Sequence, residues 1–152
     1  MSKNHGFQIR FNDFYKVRRD AKWRDCYYRL MQNAKQDGIT FPEVLHALAD
    51  QTKRIEASFT SKLMATLDPT KPIIDRFVLE NFGLRLPSRN TINRESKTVD
   101  IYNQLCINYG ILMSNRHGRM ICDKFKQRYP LAEITDMKKI DLVLWQIRGR
   151  KT

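Results

Sequence analysis

A chain of 152 residues, 41% hydrophobic and 29% charged, is long enough for one domain that buries a core without metals or disulfides. Its 28 Lys and Arg against 16 Asp and Glu give a formal net charge of +12, which points to polyanionic partners, nucleic acid first and an anionic membrane surface second. No run reaches the ~18 apolar residues of a membrane span, and residues 1 to 6 are polar and lack an apolar signal segment. The cysteines Cys26, Cys106 and Cys122 make neither a CxxC pair nor zinc-finger spacing, so the expectation is reduced thiols in a cytoplasmic protein.

In chain order, helical periodicity dominates and strand alternation is scarce. Phe14, Val17 and Ala21, then Tyr27, Leu30, Met31 and Ala34, recur at spacings that predict one long or two short helices ending at Asp37-Gly38. Thr40-Phe41-Pro42-Glu43 carries a capping-box signature with proline in the first turn, and Val44, Leu45, Leu48 and Ala49 supply the apolar face of the helix it opens. A further helix is predicted from Ser58 to Leu67, broken by Pro69 and Pro72. Helix resumes over Asp75 to Asn81, and Gly83 is its left-handed stop.

Residues 85 to 97, rich in Pro, Ser, Asn, Arg and Lys, read as an exposed loop. Val99, Tyr102, Leu105, Cys106, Tyr109 and Leu112 mark the next helix, residues 118 to 128 another, and Thr135 caps a last one bearing Met137, Ile140, Leu144 and Ile147. The expected architecture is all-α: a compact single domain over 1–152, with roughly seven helices.

Three consecutive segments carry chemistry: Ser58-Phe59-Thr60-Ser61-Lys62, Ile74-Asp75-Arg76-Phe77-Val78 and Phe82-Gly83-Leu84. Together they resemble the helix-hairpin-helix DNA glycosylases, the group typified by endonuclease III. In that group a Gly-x-Gly-x-Lys hairpin, a Val-Asp-Thr-His-Val segment and a Leu-Gly-Leu close follow one another. The resemblance covers residues 58 to 84 and implies a helical DNA-binding core that, in its enzymatic form, excises a base. It implies Asp75 as the carboxylate that stabilises the sugar cation or positions water, and Lys62 as the nucleophile for strand cleavage. The hairpin position implies backbone contacts from Ser58, Thr60 and Ser61, with Arg76 beside the aspartate. Ser58 and Thr60 stand where the group has glycines and Phe77 where it has histidine, and the four-cysteine iron–sulfur loop is absent. The segment Asp136 to Trp145 also looks like the ending of bacterial proteins sharing this core.

The chemistry has its own logic. Cleaving an N-glycosidic bond develops positive charge on the sugar, which a carboxylate stabilises. A lysine amine of lowered pKa forms a Schiff base with the sugar, and the base must first leave the stack. Asp75 equally suits a helix cap, and Lys62 equally suits the wet face of an amphipathic helix. The cations Arg85, Arg89, Arg94 and Lys97, among Ser and Asn donors, suit phosphate contacts. The run Lys16, Arg18, Arg19, Lys22 and Arg24, interleaved with Tyr15, Trp23, Tyr27 and Tyr28, suits either phosphates with base stacking or a solvated face with its aromatics turned inward.

His5, His46 and His117 are isolated, and neither a metal nor a cofactor is expected. The reading is a nucleic-acid-binding helical domain, DNA favoured, with base excision as its enzymatic form. The alternative is a non-catalytic interaction protein on the same scaffold whose basic face binds a protein partner.

Overall fold

The computed structural model describes residues 4 to 148. The start of the polar N-terminal segment, residues 1 to 3, lies outside the described residues. Among these there are eight helices and no strand, so the all-α expectation is met with one helix more than roughly seven. The additional helix is α1 (His5–Tyr15), which stands apart from α2 (Ala21–Asp37). Lys16 turns left-handed at φ 53°, and Asp20 then accepts the Trp23 amide at 2.8 Å to open α2. Two caps close together force the break that apolar spacing alone left open.

Gly38 ends α2 at φ 66°, and α3 (Phe41–Thr52) starts as the Thr40 to Glu43 pattern predicts. The Glu43 carboxylate accepts from the Thr40 hydroxyl at 2.6 Å and amide at 2.7 Å, and these bonds hold its carboxyl below the usual range.

The helices gather into two compact units dividing between Glu56 and Ala57. In the first, α2 packs along α3 around the fully buried Tyr27, Met31, Val44, Leu45 and Leu48. Phe11 meets Tyr28 edge-on with ring centroids 5.8 Å apart, and Trp23 stacks on Tyr27 at 4.9 Å. Trp23, Tyr27 and Tyr28 of the basic run therefore turn inward, and Tyr15 is half-buried against Phe11.

The second unit holds α4 (Ala57–Leu67), α5 (Arg76–Asn81), α6 (Arg94–Ser114), α7 (Arg116–Arg128) and α8 (Asp136–Gln146). Helix α8 packs against α5, α6 and α7, and Leu63, Ile73, Val78, Leu105, Tyr109 and Ile140 are fully buried in this unit. Each aliphatic side chain so enclosed stabilises by ~1.5–3 kcal/mol. Gly83, at φ 66°, ends α5 as expected: its amide donates to the Glu80 carbonyl at 3.1 Å while the Leu84 amide reaches Leu79 at 2.8 Å.

The loop expected over 85 to 97 is shorter. It ends at Asn93, whose left-handed φ of 57° leads directly into α6, and Arg94 and Lys97 lie in the first turn of that helix. The polar residues there gave no apolar periodicity to mark the start.

Candidate nucleic-acid site around Asp75

Helical spacing divides the hairpin-like segment between two environments. Ser58 and Lys62 are four residues apart on one partly exposed face of α4, whereas Thr60 and Ser61, at 0% exposure, enter the core. The Ser61 hydroxyl donates to the Ser58 carbonyl at 2.7 Å and accepts the Ile74 amide at 2.8 Å. Of the three hairpin residues to which the resemblance gives nucleic-acid contacts, Thr60 and Ser61 therefore have side chains turned away from solvent, and Ser58 lines the cleft that also holds Asp75. Ser61 instead anchors the strand-like approach to Asp75.

Asp75 follows in extended conformation, φ −130° and ψ 147°, and is the N-cap of α5. A single oxygen, Oδ1, accepts both cap bonds, from Phe77 at 2.9 Å and from Val78 at 3.3 Å. No hydrogen bond or ion pair engages Oδ2 among the described residues. Capping thus fixes the carboxylate while leaving half of it unspent.

Asp75 lines a cleft of about 570 Å³, within the usual ~300–1,000 Å³ range of ligand sites. Ile74, Leu79, Leu84 and Leu86 form its apolar walls, and Arg76, Glu80, Arg85 and Ser58 its polar positions. Arg76 bonds Glu80 at 2.9 Å across one helical turn. Two guanidiniums and two carboxylates therefore balance inside the cleft, and the positive excess lies outside it. Arg85 and Arg89 are exposed on the loop, Lys97 is exposed on α6, and Arg94 is half-buried beside it.

Comparison with family models, with curated proteins and with solved structures finds no match for this chain.

Lys62 is not part of the lining around Asp75. It lies one turn along α4 from Ser58, with its ammonium 4.8 Å over the Phe59 ring. Phe77, which stands where the resemblance has histidine, carries the Arg148 guanidinium 3.6 Å above its ring and that of Arg76 at 5.7 Å.

A buried acid, unnoticed in the sequence, lies close enough to feel the charge of Asp75. Tyr109 donates to Asp141 Oδ1 at 2.7 Å, and the Lys138 ammonium is 3.6 Å from Oδ2. Burial pushes the Asp141 carboxyl up, opposed by the Tyr109 hydrogen bond and Lys138, while the Asp75 charge adds to the push. The Tyr109 phenol is raised by burial first and by Asp141 next. The signal was present: Asp141 falls on the apolar stripe of Met137, Ile140 and Leu144, where a carboxylate needs a partner.

Glu80 and Leu86 also escaped the sequence reading, since only folding brings them beside Asp75. No group of three His, Cys, Asp or Glu side chains arranged to hold a metal occurs among the described residues. The cysteines are free thiols, Cys122 buried and Cys26 and Cys106 half-buried. No helix among the described residues is long and apolar enough to cross a membrane.

Proposed function

We propose that the protein binds nucleic acid, DNA in preference, and that the Asp75 cleft receives an extruded nucleotide for release of its base. The observation that carries this reading is the division of labour within one carboxylate of the cleft lining: Oδ1 is held by two amides of α5, and Oδ2 has no hydrogen-bond or ion-pair partner among the described residues. An oxygen so fixed is suited to stabilise positive charge growing on a sugar, or to orient the water that attacks it. The resemblance over residues 58 to 84 and the net charge of +12 support the same reading.

The cations of this cleft are guanidiniums rather than amines, and a guanidinium does not form the Schiff base that a lysine amine would. The reaction we propose is base release by water, with Lys62 outside the reacting group. Phosphates would be met by Arg85, an exposed residue of the cleft lining, and by Arg89, exposed on the same loop outside that lining. The balanced charge within the cleft favours a second reading, a non-catalytic binding protein that uses the same surface.

Retention on duplex DNA measured against salt tests the binding. Affinity is expected to fall steeply with salt, and Arg85→Ala with Arg89→Ala to reduce the log–log slope by about 1.8. Retention on an acidic protein column with none on DNA would overturn the proposal.

A further inference from the structure

The unit preceding Ala57 carries a groove of about 590 Å³, formed by the α1–α2 connection, one face of α2 and the end of α3. We infer that this groove is a second, sequence-independent site for the phosphodiester backbone of nucleic acid, an inference that rests on the nucleic-acid reading above.

The charge is placed by sequence spacing. Lys22, Cys26 and Arg29 follow one another by four and three residues and so share one face of α2. Arg18 joins them from the connection before α2, and Arg54 from just beyond α3. Arg19 is already committed, bonding both oxygens of the Glu56 carboxylate at 3.1 Å, and that glutamate is 7% exposed. Asp20 is spent in part on the Trp23 amide at the start of α2. Arg18, Lys22, Arg29 and Arg54 have no ion-pair partner among the described residues. Four converging positive charges raise the free energy of the folded unit, and a polyanion relieves that repulsion.

The same groove says which part of a nucleic acid it takes. Trp23 is 8% exposed and stacked on Tyr27, so no ring face is offered to a base. Thr52 donates its hydroxyl to the Leu48 carbonyl at 2.6 Å, and Gln51 accepts from the Cys26 thiol at 2.9 Å, which leaves the Gln51 amide hydrogens for a ligand oxygen. Guanidinium forks and an amide donor without an apolar slot suit phosphate oxygens. An acidic peptide would find charge here, but the lining offers an apolar anchoring side chain little beyond buried Trp23 and half-buried Cys26.

The test uses the full-length protein and a fluorescent duplex, with Kd measured over a series of KCl concentrations. The variant R18Q/K22Q/R29Q/R54Q is expected to bind more weakly, equally so on duplexes of different sequence. Its log–log salt slope should be shallower by up to about 3.6, since each lost phosphate contact removes about 0.9. R29Q/R54Q changes only exposed side chains and should remove up to about 1.8, which keeps the test open if the fourfold variant folds poorly. Bound duplex should also slow alkylation of Cys26 by N-ethylmaleimide, followed by peptide mass spectrometry.

An unchanged slope in both variants, with wild-type binding still salt-dependent, overturns this site and leaves the nucleic-acid reading standing. Absence of any wild-type retention overturns both. Variants that lose polyglutamate but keep the duplex make the groove a protein-docking surface and overturn the inference.

Discussion

The Ser61 hydroxyl accepts the Ile74 amide hydrogen at 2.8 Å, across a gap of 13 residues, and both partners are buried. This bond joins α4 to the residue immediately before Asp75, so it positions the site carboxylate as well as satisfying a core amide. Ser61→Ala strands that amide and should cost about 1–3 kcal/mol in denaturant unfolding. Ser58→Ala removes a hydroxyl at the cleft edge and should stay within about 0.5 kcal/mol. Equal effects from the two changes would show that Ser61 is not the anchor.

Two glycines separate conformation from space. A Cβ on Gly118, near the start of α7, would sit 1.8 Å from the Leu112 carbonyl oxygen at the end of α6. Gly118→Ala must therefore push the two helices apart and should lower the melting temperature sharply. Gly110 lies within α6 with nothing inside 4 Å of its Cβ position. Gly110→Ala should stabilise by about 0.5–1 kcal/mol, because alanine is the better helix former. Thermal melts of the two variants should move in opposite directions.

Asp141 makes the pH dependence of stability specific. Its carboxyl is raised above the ordinary value of 3.8, first by burial, so the folded chain binds this proton more tightly than the unfolded chain. Its contribution is therefore complete below the unfolded value and lost as pH rises through the folded one. Glu43, Asp68 and Asp136 are lowered by hydrogen bonds, so their contributions are present above their unfolded values and lost on acidification. These three are unchanged by Asp141→Asn and cancel when the two proteins are compared. Urea melts should show wild type losing ground to Asp141→Asn as pH rises above about 4. A difference independent of pH would contradict the raised carboxyl.

Local signals in the sequence carried much of the fold. The Thr40 box, the Asp75 and Thr135 caps and the Gly83 stop act within a few residues, so their chemistry can be read directly. The start of α6 was not legible, because an Arg, Glu, Ser and Lys turn entered through left-handed Asn93 resembles a loop. For the site, the sequence marked Asp75 and its cap, but the inward turn of Ser61 depends on the partner at Ile74. The meeting of Tyr109 with Asp141 spans 32 residues and belongs to packing rather than pattern. Periodicity places a side chain on a face; it does not say what covers that face.

The cap bonds allow the carboxylate of Asp75 to be tested without losing the helix. Asparagine caps as well as aspartate, so Asp75→Asn should preserve stability to a few tenths of a kcal/mol, whereas Asp75→Ala should cost about 1 kcal/mol. Lys62→Gln should leave base release intact, since the ammonium lies over Phe59 and outside the cleft lining. Nearly equal stability of the Asp75→Ala and wild-type proteins would remove the cap from the account.

The most direct measurement is base release from a panel of damaged-base duplexes by wild-type and Asp75→Asn proteins, with duplex retention followed in parallel. Release by wild type is expected, with its collapse in Asp75→Asn and with retention held or slightly tightened as one negative charge leaves. Full release by Asp75→Asn, or an inert wild type across the panel, would contradict the role proposed for Asp75.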